Sequence, residues 1–215
     1  MTSNNPKKLK ILLVARKDAF NIKNIIHYVT ENFDATILVD DRKNKFPKKD
    51  LNWSGDYIFS YLCPWVLPMD LIESVKIAAI NFHPGPPAYP GTGCYNFAIY
   101  QQVERYGVTC HHLAKEVDTG KIVSVVDFPL LNNDSVSDLI NRTYVYLNYL
   151  FFDITLGILK NYELPISKLE WERKPYKRKD LEDLCKLSKK MNDDEINRRI
   201  KATAFPGKPG AYFID

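Results

Sequence analysis

The sequence has 215 residues, of which 45% are hydrophobic and 26% charged, an ordinary soluble-globular composition with enough apolar residues for one sizeable core. No stretch reaches the roughly 18 consecutive apolar residues of a membrane span. The start, MTSNNPKKLKILLVA, shows no small-residue cleavage site, so a cytoplasmic protein without a membrane partner is expected.

The formal net charge of +4 is concentrated in PKKLK, KNKFPKK and ERKPYKRK. Such runs serve either as solvated surface or as recognition of an anion such as phosphate. The cysteines Cys63, Cys94, Cys110 and Cys185 form no CxxC pair, which argues against a zinc ribbon or a disulfide framework and predicts reduced, structural thiols.

LKILLVA, from Leu9, is a short apolar run suited to a strand buried on both faces. After Asp18, a candidate cap, Phe20, Ile22, Ile25, Ile26 and Val29 fall at helical spacing. ATILVD, DYIFSYL and KIAAINF read as further strands, with a short helix over 68–75 begun by Pro68 between the last two. This alternation predicts an α/β fold: a Rossmann-like, open, mostly parallel twisted sheet with flanking helices. The turn after the first strand, ARKDAFN, lacks glycine, which argues against a dinucleotide-binding dehydrogenase, and no Walker loop occurs anywhere.

A helix is expected over 95–104, then a hairpin of YGVTCHHLA and IVSVVDFPL joined at DTGK. A long helix capped by Asp134 follows, apolar around most of its circumference and therefore deeply packed. Past Pro165 the chain turns charged and proline-punctuated, with a helix over 193–202 and the strand-like AYF near the end. The expected division is a main domain over 1–164 and a short C-terminal extension over 165–215.

INFHPGPPAYPGTGCYNFAIY carries the chemical signal. A strand ending at Asn81-Phe82-His83 directs Asn81 and His83 to the same side, because side chains alternate. Pro84-Gly85-Pro86-Pro87 then stops the ladder and makes a stiff loop. The carboxyl ends of parallel strands are where α/β sheets place ligands. Asn81 offers a donor to a developing oxyanion, His83 an imidazole able to move a proton, and Asp118 an orienting carboxylate. Sequence separation leaves open whether the three meet, and a histidine at a strand end is more often packed than catalytic.

NFHPGPPAYPG followed by GVTCHHLAKEVDTGKIV resembles the folate-dependent formyltransferases, a family that includes glycinamide ribonucleotide, methionyl-tRNA and sugar N-formyltransferases. The resemblance joins an N-x-H-P element to an H-x6-D-x-G element and extends from about Leu9 to Leu164. It implies that Asn81, His83 and Asp118 are catalytic and that the formyl donor is 10-formyltetrahydrofolate, with no metal. His83 would take the amine proton and Asn81 would hold the oxyanion of a tetrahedral intermediate. Asp118 would orient His83 or a water, raise the histidine pKa and assist proton transfer to the departing folate nitrogen. It also implies that folate is bound partly by backbone groups in SYLCPWVLP and AKEVDTG, which nominates Leu62, Trp65, Val66, Leu67, Glu116 and Val117. His111 holds a family position, with a structural role as plausible as a chemical one, and His112 faces the other side. Cys94 has no indicated base and is not a nucleophile candidate.

Residues 165–215 are shorter than the tRNA-binding domain of methionyl-tRNA formyltransferases, which disfavours tRNA. TGCYNFAIY and the tail ending FPGKPGAYFID resemble sugar N-formyltransferases acting on nucleotide-linked amino sugars for surface polysaccharide such as O-antigen. The leading acceptor is dTDP-4-amino-4,6-dideoxyglucose; a 3-amino-3,6-dideoxy sugar and glycinamide ribonucleotide are alternatives. Tyr89, Tyr95, Asn96, Lys115 and Phe205 are candidate substrate contacts, although Tyr95 at a helix start is equally a packing residue. The tail suggests a homodimer with its two-fold axis nearby. A catalytically inactive ligand-binding protein would be expected to have lost one of Asn81, His83 and Asp118. The basic tail carries no zinc-finger or aromatic-stacking signature of a nucleic-acid module.

Overall fold

A computed structural model describes residues 8–41, 44–47, 52–161 and 163–215. Parts of the two early basic runs, 6–7, 43 and 48–49, lie outside the described residues. Strands β1 (Lys10–Arg16), β2 (Asp34–Asp40), β3 (Tyr57–Tyr61), β4 (Ala78–His83), β5 (Arg105–His112) and β6 (Ile122–Pro129) form one mixed sheet in the order β2-β1-β3-β4-β5-β6. The first four are mutually parallel, whereas β5 and β6 run antiparallel as the expected hairpin. A parallel sheet needs both faces covered, and the apolar runs of β1 and β3 meet that need.

On one face, Ile11, Leu13, Phe59, Tyr61, Ile80 and Phe82 pack under α1 (Ile22–Asn32), α3 (Cys94–Gln101) and α4 (Val136–Leu159). Phe151 of α4 is fully buried and meets the rings of Phe59, Tyr61 and Phe82 with centroids 6.1, 5.5 and 4.9 Å away. On the other face, Leu12, Val14, Ile58 and Ala79 pack with Leu67 and with Leu71 of α2 (Met69–Glu73). Asn81 and His83 share the parity of Ala79, so β4 directs them to this second face.

Two expected helix starts move by a few residues. Asn21 is the N-cap of α1, while Asp18 pairs with Arg16 at 2.7 Å. Helix α4 starts with Ser135 as N-cap, in a capping box with Asp138. Asp134 is buried instead, accepting from Leu131 N–H and meeting both terminal nitrogens of Arg142. A carboxylate that can form this bidentate pair satisfies itself better there than at the helix start.

The C-terminal residues supply α5 (Arg178–Leu184), β7 (Lys186–Leu187), α6 (Asp193–Thr203) and β8 (Tyr212–Phe213), with β7 and β8 paired in parallel. Helix α6 docks on α3: Asn96 Nδ2 donates to Ala202 O at 2.7 Å, and Tyr100 donates to Glu195 at 2.9 Å. Glu195 in turn pairs with Arg199, whose guanidinium also donates to Asp183 O at the end of α5.

Removal of the Phe151 ring leaves a cavity under the sheet. Phe151→Ala is expected to cost about 3–5 kcal/mol. Ser135→Ala loses only a cap and is expected to cost about 1 kcal/mol. Urea unfolding of the two variants should rank them in that order.

Candidate active site

The site begins as a row of polar side chains across three strands. Register places Ser60 of β3 beside Asn81 of β4, and Asn81 opposite His111 of β5. Ser60 Oγ–H donates to Asn81 Oδ1 at 2.6 Å, which fixes the amide so that its NH2 faces His111 Nε2 at 3.0 Å. His111 Nδ1 lies 2.8 Å from the carbonyl of His112, which can only accept, so Nδ1 donates there, and Nε2 lies between the Asn81 amide and Asp118 Oδ1. An amide nitrogen has two hydrogens, and the second of Asn81 remains available to a ligand.

Asp118 joins this row to His83. Its Oδ2 lies 3.1 Å from His83 Nδ1 and accepts from Gly91 N–H at 2.8 Å, while Oδ1 lies 3.2 Å from His111 Nε2. Asp118 is 6% exposed and His83 4%. Burial alone would raise the Asp118 carboxyl, but the two imidazoles and the Gly91 N–H outweigh it and hold the group well below the usual carboxylate range. Asp118 is itself at φ 50°, a left-handed conformation that an L-residue holds only when its surroundings impose it.

Asp118 pulls the histidine pKa upward as expected, but it does not set the net direction. Burial is the largest influence on His83 and lowers it below its ordinary 6.5, against the attraction of Asp118. Both ring nitrogens face acceptors, and with the proton on Nδ1 toward Asp118 the basic atom of the neutral ring is Nε2. That atom sits 3.0 Å from the carbonyl of Tyr89, which can accept a hydrogen bond once Nε2 has gained a proton. The stiff loop is held by β5, where Tyr106 donates to Pro84 O at 2.9 Å and Thr109 to Gly85 O at 2.7 Å. Gly85 is required at its position because a Cβ there would lie 2.7 Å from His83 Nε2.

A family model described as formyl transferase matches residues 39–146, half of the chain. This chain belongs to the formyl transferase family. The methionyl-tRNA formyltransferase of Pediococcus pentosaceus is 29% identical to it over 118 residues, 54% of this chain and 37% of that protein. The formyl transferase chain thus spans well under half of that relative's length. A 4-N formyltransferase from Francisella tularensis superimposes with a TM-score of 0.70 at 20% identity, over 96% of this chain and 93% of the other. An N-formyltransferase from Helicobacter canadensis, solved with folinic acid and dTDP-3-aminofucose, gives 0.71 at 22% identity, over 90% and 80%. These two structures establish the shared fold.

The nominated folate neighbours lie on loops at the carboxyl ends of β3 and β5. Leu62 is at φ 50° and buried, Leu67 is buried, Trp65 is partly buried with its indole N–H on Asn44 O at 2.8 Å, and Val66 is 72% exposed. Glu116 and Val117 are exposed in the turn before Asp118. Trp65 and Leu113, which follows β5, pack on the same apolar cluster, so the two loops approach each other there.

Of the five nominated substrate contacts, Tyr89 and Tyr95 both lie against the Tyr106 ring, with centroids 6.0 and 5.9 Å away. Tyr89 is buried and donates to Gln101, Asn96 anchors α6, Phe205 packs on the main core, and Lys115 is exposed. Tyr95 is enclosed, with a hydroxyl that has no partner among the described residues. Cys94 is buried, and burial pushes its thiol up to about 12, so it remains protonated at neutral pH. Among the described residues no helix is long and apolar enough to cross a membrane, and no group of three or more His, Cys, Asp or Glu is placed to hold a metal.

Sequence reasoning missed Ser60, the Gly91 N–H and Trp171, and left His111 undecided. Ser60 was signalled by a hydroxyl inside the apolar strand YIFSY; Trp171 had no local signal.

The lowered His83 implies that between its folded pKa and 6.5 the unfolded chain binds more protons, so stability rises with pH in that window. The Asp118 contribution persists to lower pH and is lost as pH falls below 3.8 toward its depressed value. The urea midpoint is therefore expected to be level above pH 7 and to decline as pH falls below 6.5. The decline between 6.5 and 4.5 should be shallower in His83→Asn; an identical decline would remove His83 as its source.

Proposed function

We propose that this protein transfers a formyl group from 10-formyltetrahydrofolate to the amine of a nucleotide-linked amino sugar. The observation that carries the transfer is the His83–Asp118–His111–Asn81 constellation, which combines a basic ring nitrogen, a buried orienting carboxylate and a fixed amide donor. The sugar class is supported by the Helicobacter canadensis N-formyltransferase, solved with dTDP-3-aminofucose, whose match covers 90% of this chain.

The folate supplies the formyl carbon, and the apolar loop over 62–67 with the exposed turn at 116–117 fits a flat heterocycle bound partly through backbone groups. As the amine nitrogen bonds to that carbon, His83 Nε2 takes the amine proton and Tyr89 O accepts the resulting N–H. The free N–H of Asn81 meets the oxyanion, with Ser60 and His111 preventing the amide from turning. The proton then passes from His83 to the leaving folate nitrogen, completing the exchange.

The leading acceptor is dTDP-4-amino-4,6-dideoxyglucose, in the cytoplasmic synthesis of surface polysaccharide such as O-antigen. A dTDP-linked 3-amino sugar is supported by the Helicobacter canadensis neighbour. Methionyl-tRNA is the second reading, favoured by the curated relative, which matches over only part of its length. A homodimer near the tail is part of the proposal, since Tyr212, Phe213 and Ile214 are each at least half exposed; sedimentation of a Phe213→Glu variant should show a weakened dimer.

A panel of dTDP-linked 3-amino and 4-amino sugars, glycinamide ribonucleotide and methionyl-tRNA, each with 10-formyltetrahydrofolate, should release tetrahydrofolate fastest with a 4-amino sugar. Turnover with none of them would reject the reading. His83→Asn, Asp118→Asn and Asn81→Ala are each expected to lower kcat by at least about a hundredfold. Near-normal kcat in folded His83→Asn and Asp118→Asn proteins would overturn the proton-transfer roles.

A further inference from the structure

The segment 171–176 belongs by sequence to the charged extension, yet it is fastened along the catalytic loop. Glu172 N–H donates to Pro87 O at 3.2 Å, Tyr176 N–H to Pro90 O at 2.9 Å, and Thr92 N–H to Tyr176 O at 2.8 Å. Gly91 and Tyr176 form a parallel bridge, and a Cβ at Gly91 would collide with the backbone of Tyr176. The Tyr176 ring is clamped between Phe97, stacked at 3.6 Å and 7°, and the Arg173 guanidinium at 3.2 Å.

The other end of this strap places an indole on the catalytic rings. Trp171 stands nearly perpendicular to His111 with centroids 5.0 Å apart, and to His83 at 5.8 Å. Its Nε1–H donates at 2.8 Å to the carbonyl of Gly120, two residues past Asp118. One side chain thus touches both imidazoles and the turn that carries their carboxylate.

We propose that Trp171 is a positioning residue of the active site, holding the His83 and His111 rings against Asp118 and closing that side of the site to water. The inference rests on the formyl-transfer reading. Packing of this kind matters because a small displacement of a proton-transfer group weakens catalysis strongly. Polar groups placed against His83 are Asp118, the His111 ring and the Tyr89 carbonyl. Beside them the Trp171 indole presents a large apolar ring. The indole therefore contributes to the burial that keeps His83 neutral.

The test uses Trp171→Leu, which keeps apolar bulk without the ring or donor, and Trp171→Phe, which keeps a ring. Imidazole titrations of His83 and His111 followed by NMR need no substrate. In Trp171→Leu the His83 midpoint should rise as water reaches the ring, and in Trp171→Phe it should stay closer to wild type. With the acceptor found by the panel, Trp171→Leu should lose at least about tenfold in kcat, with KM for both substrates little changed and the acid limb of the pH profile displaced upward. Trp171→Phe should recover most of the rate. Unchanged histidine titrations in folded Trp171→Leu, or a loss confined to KM, would overturn the proposal. If the wild-type protein transfers formyl to no acceptor, the functional reading fails by itself, and the titrations still decide whether Trp171 controls the two rings.

Discussion

A buried carboxylate is the constraint around which the active region is built. Asp118 sits at the end of a turn with almost no exposure, and an uncompensated charge there would be prohibitive. Three nitrogens from three parts of the chain compensate it: His83 at the end of β4, His111 in β5 and the Gly91 amide in the following loop. Each must reach the same two oxygens, so the loop path, the hairpin register and the left-handed turn at Asp118 are fixed together. The glycine at 120 follows from the same closeness, since a side chain there would run into the carbonyl of His112.

The rest of the chemistry depends on sheet parity. The face carrying Asn81 and His83 is otherwise apolar, lined by Leu12, Val14, Ile58 and Ala79. A hydroxyl, an amide and an imidazole are tolerated at its margin because each satisfies the next across adjacent strands. A shift of one residue in β4 would send Asn81 and His83 under α4 and replace them with Ile80 and Phe82. Dense aromatic packing around Phe151 opposes such a slip, which links the interior of the fold to the alignment of Asn81 and His83.

Much of this was legible in the sequence. The apolar runs gave the parallel strands, alternation put Asn81 and His83 on one side, and the missing glycines after β1 argued against a dinucleotide. The motifs gave the family. What remained hidden depended on contacts between distant segments. Ser135 caps helix α4 because Arg142, about two turns further on, draws Asp134 inward. The basicity of His83 depends on how much of the ring is enclosed, which a motif does not encode. Of the nominated substrate contacts, Asn96 and Phe205 help to dock the tail. Trp171 looked like one aromatic among charges because its partners lie far back in the chain.

The clamped Tyr176 bears on how such proteins can be recombined. A chimera joined near residue 164, where the motifs end, would separate the loop over 84–92 from the backbone that lies along it and exchange the Trp171 indole for a residue of another parent. The unit inherited together runs past the Arg173–Tyr176–Phe97 stack to the start of α5. A crossover placed beyond Lys177 would keep that stack from one parent, and the incoming α6 would still have to match its seat on α3.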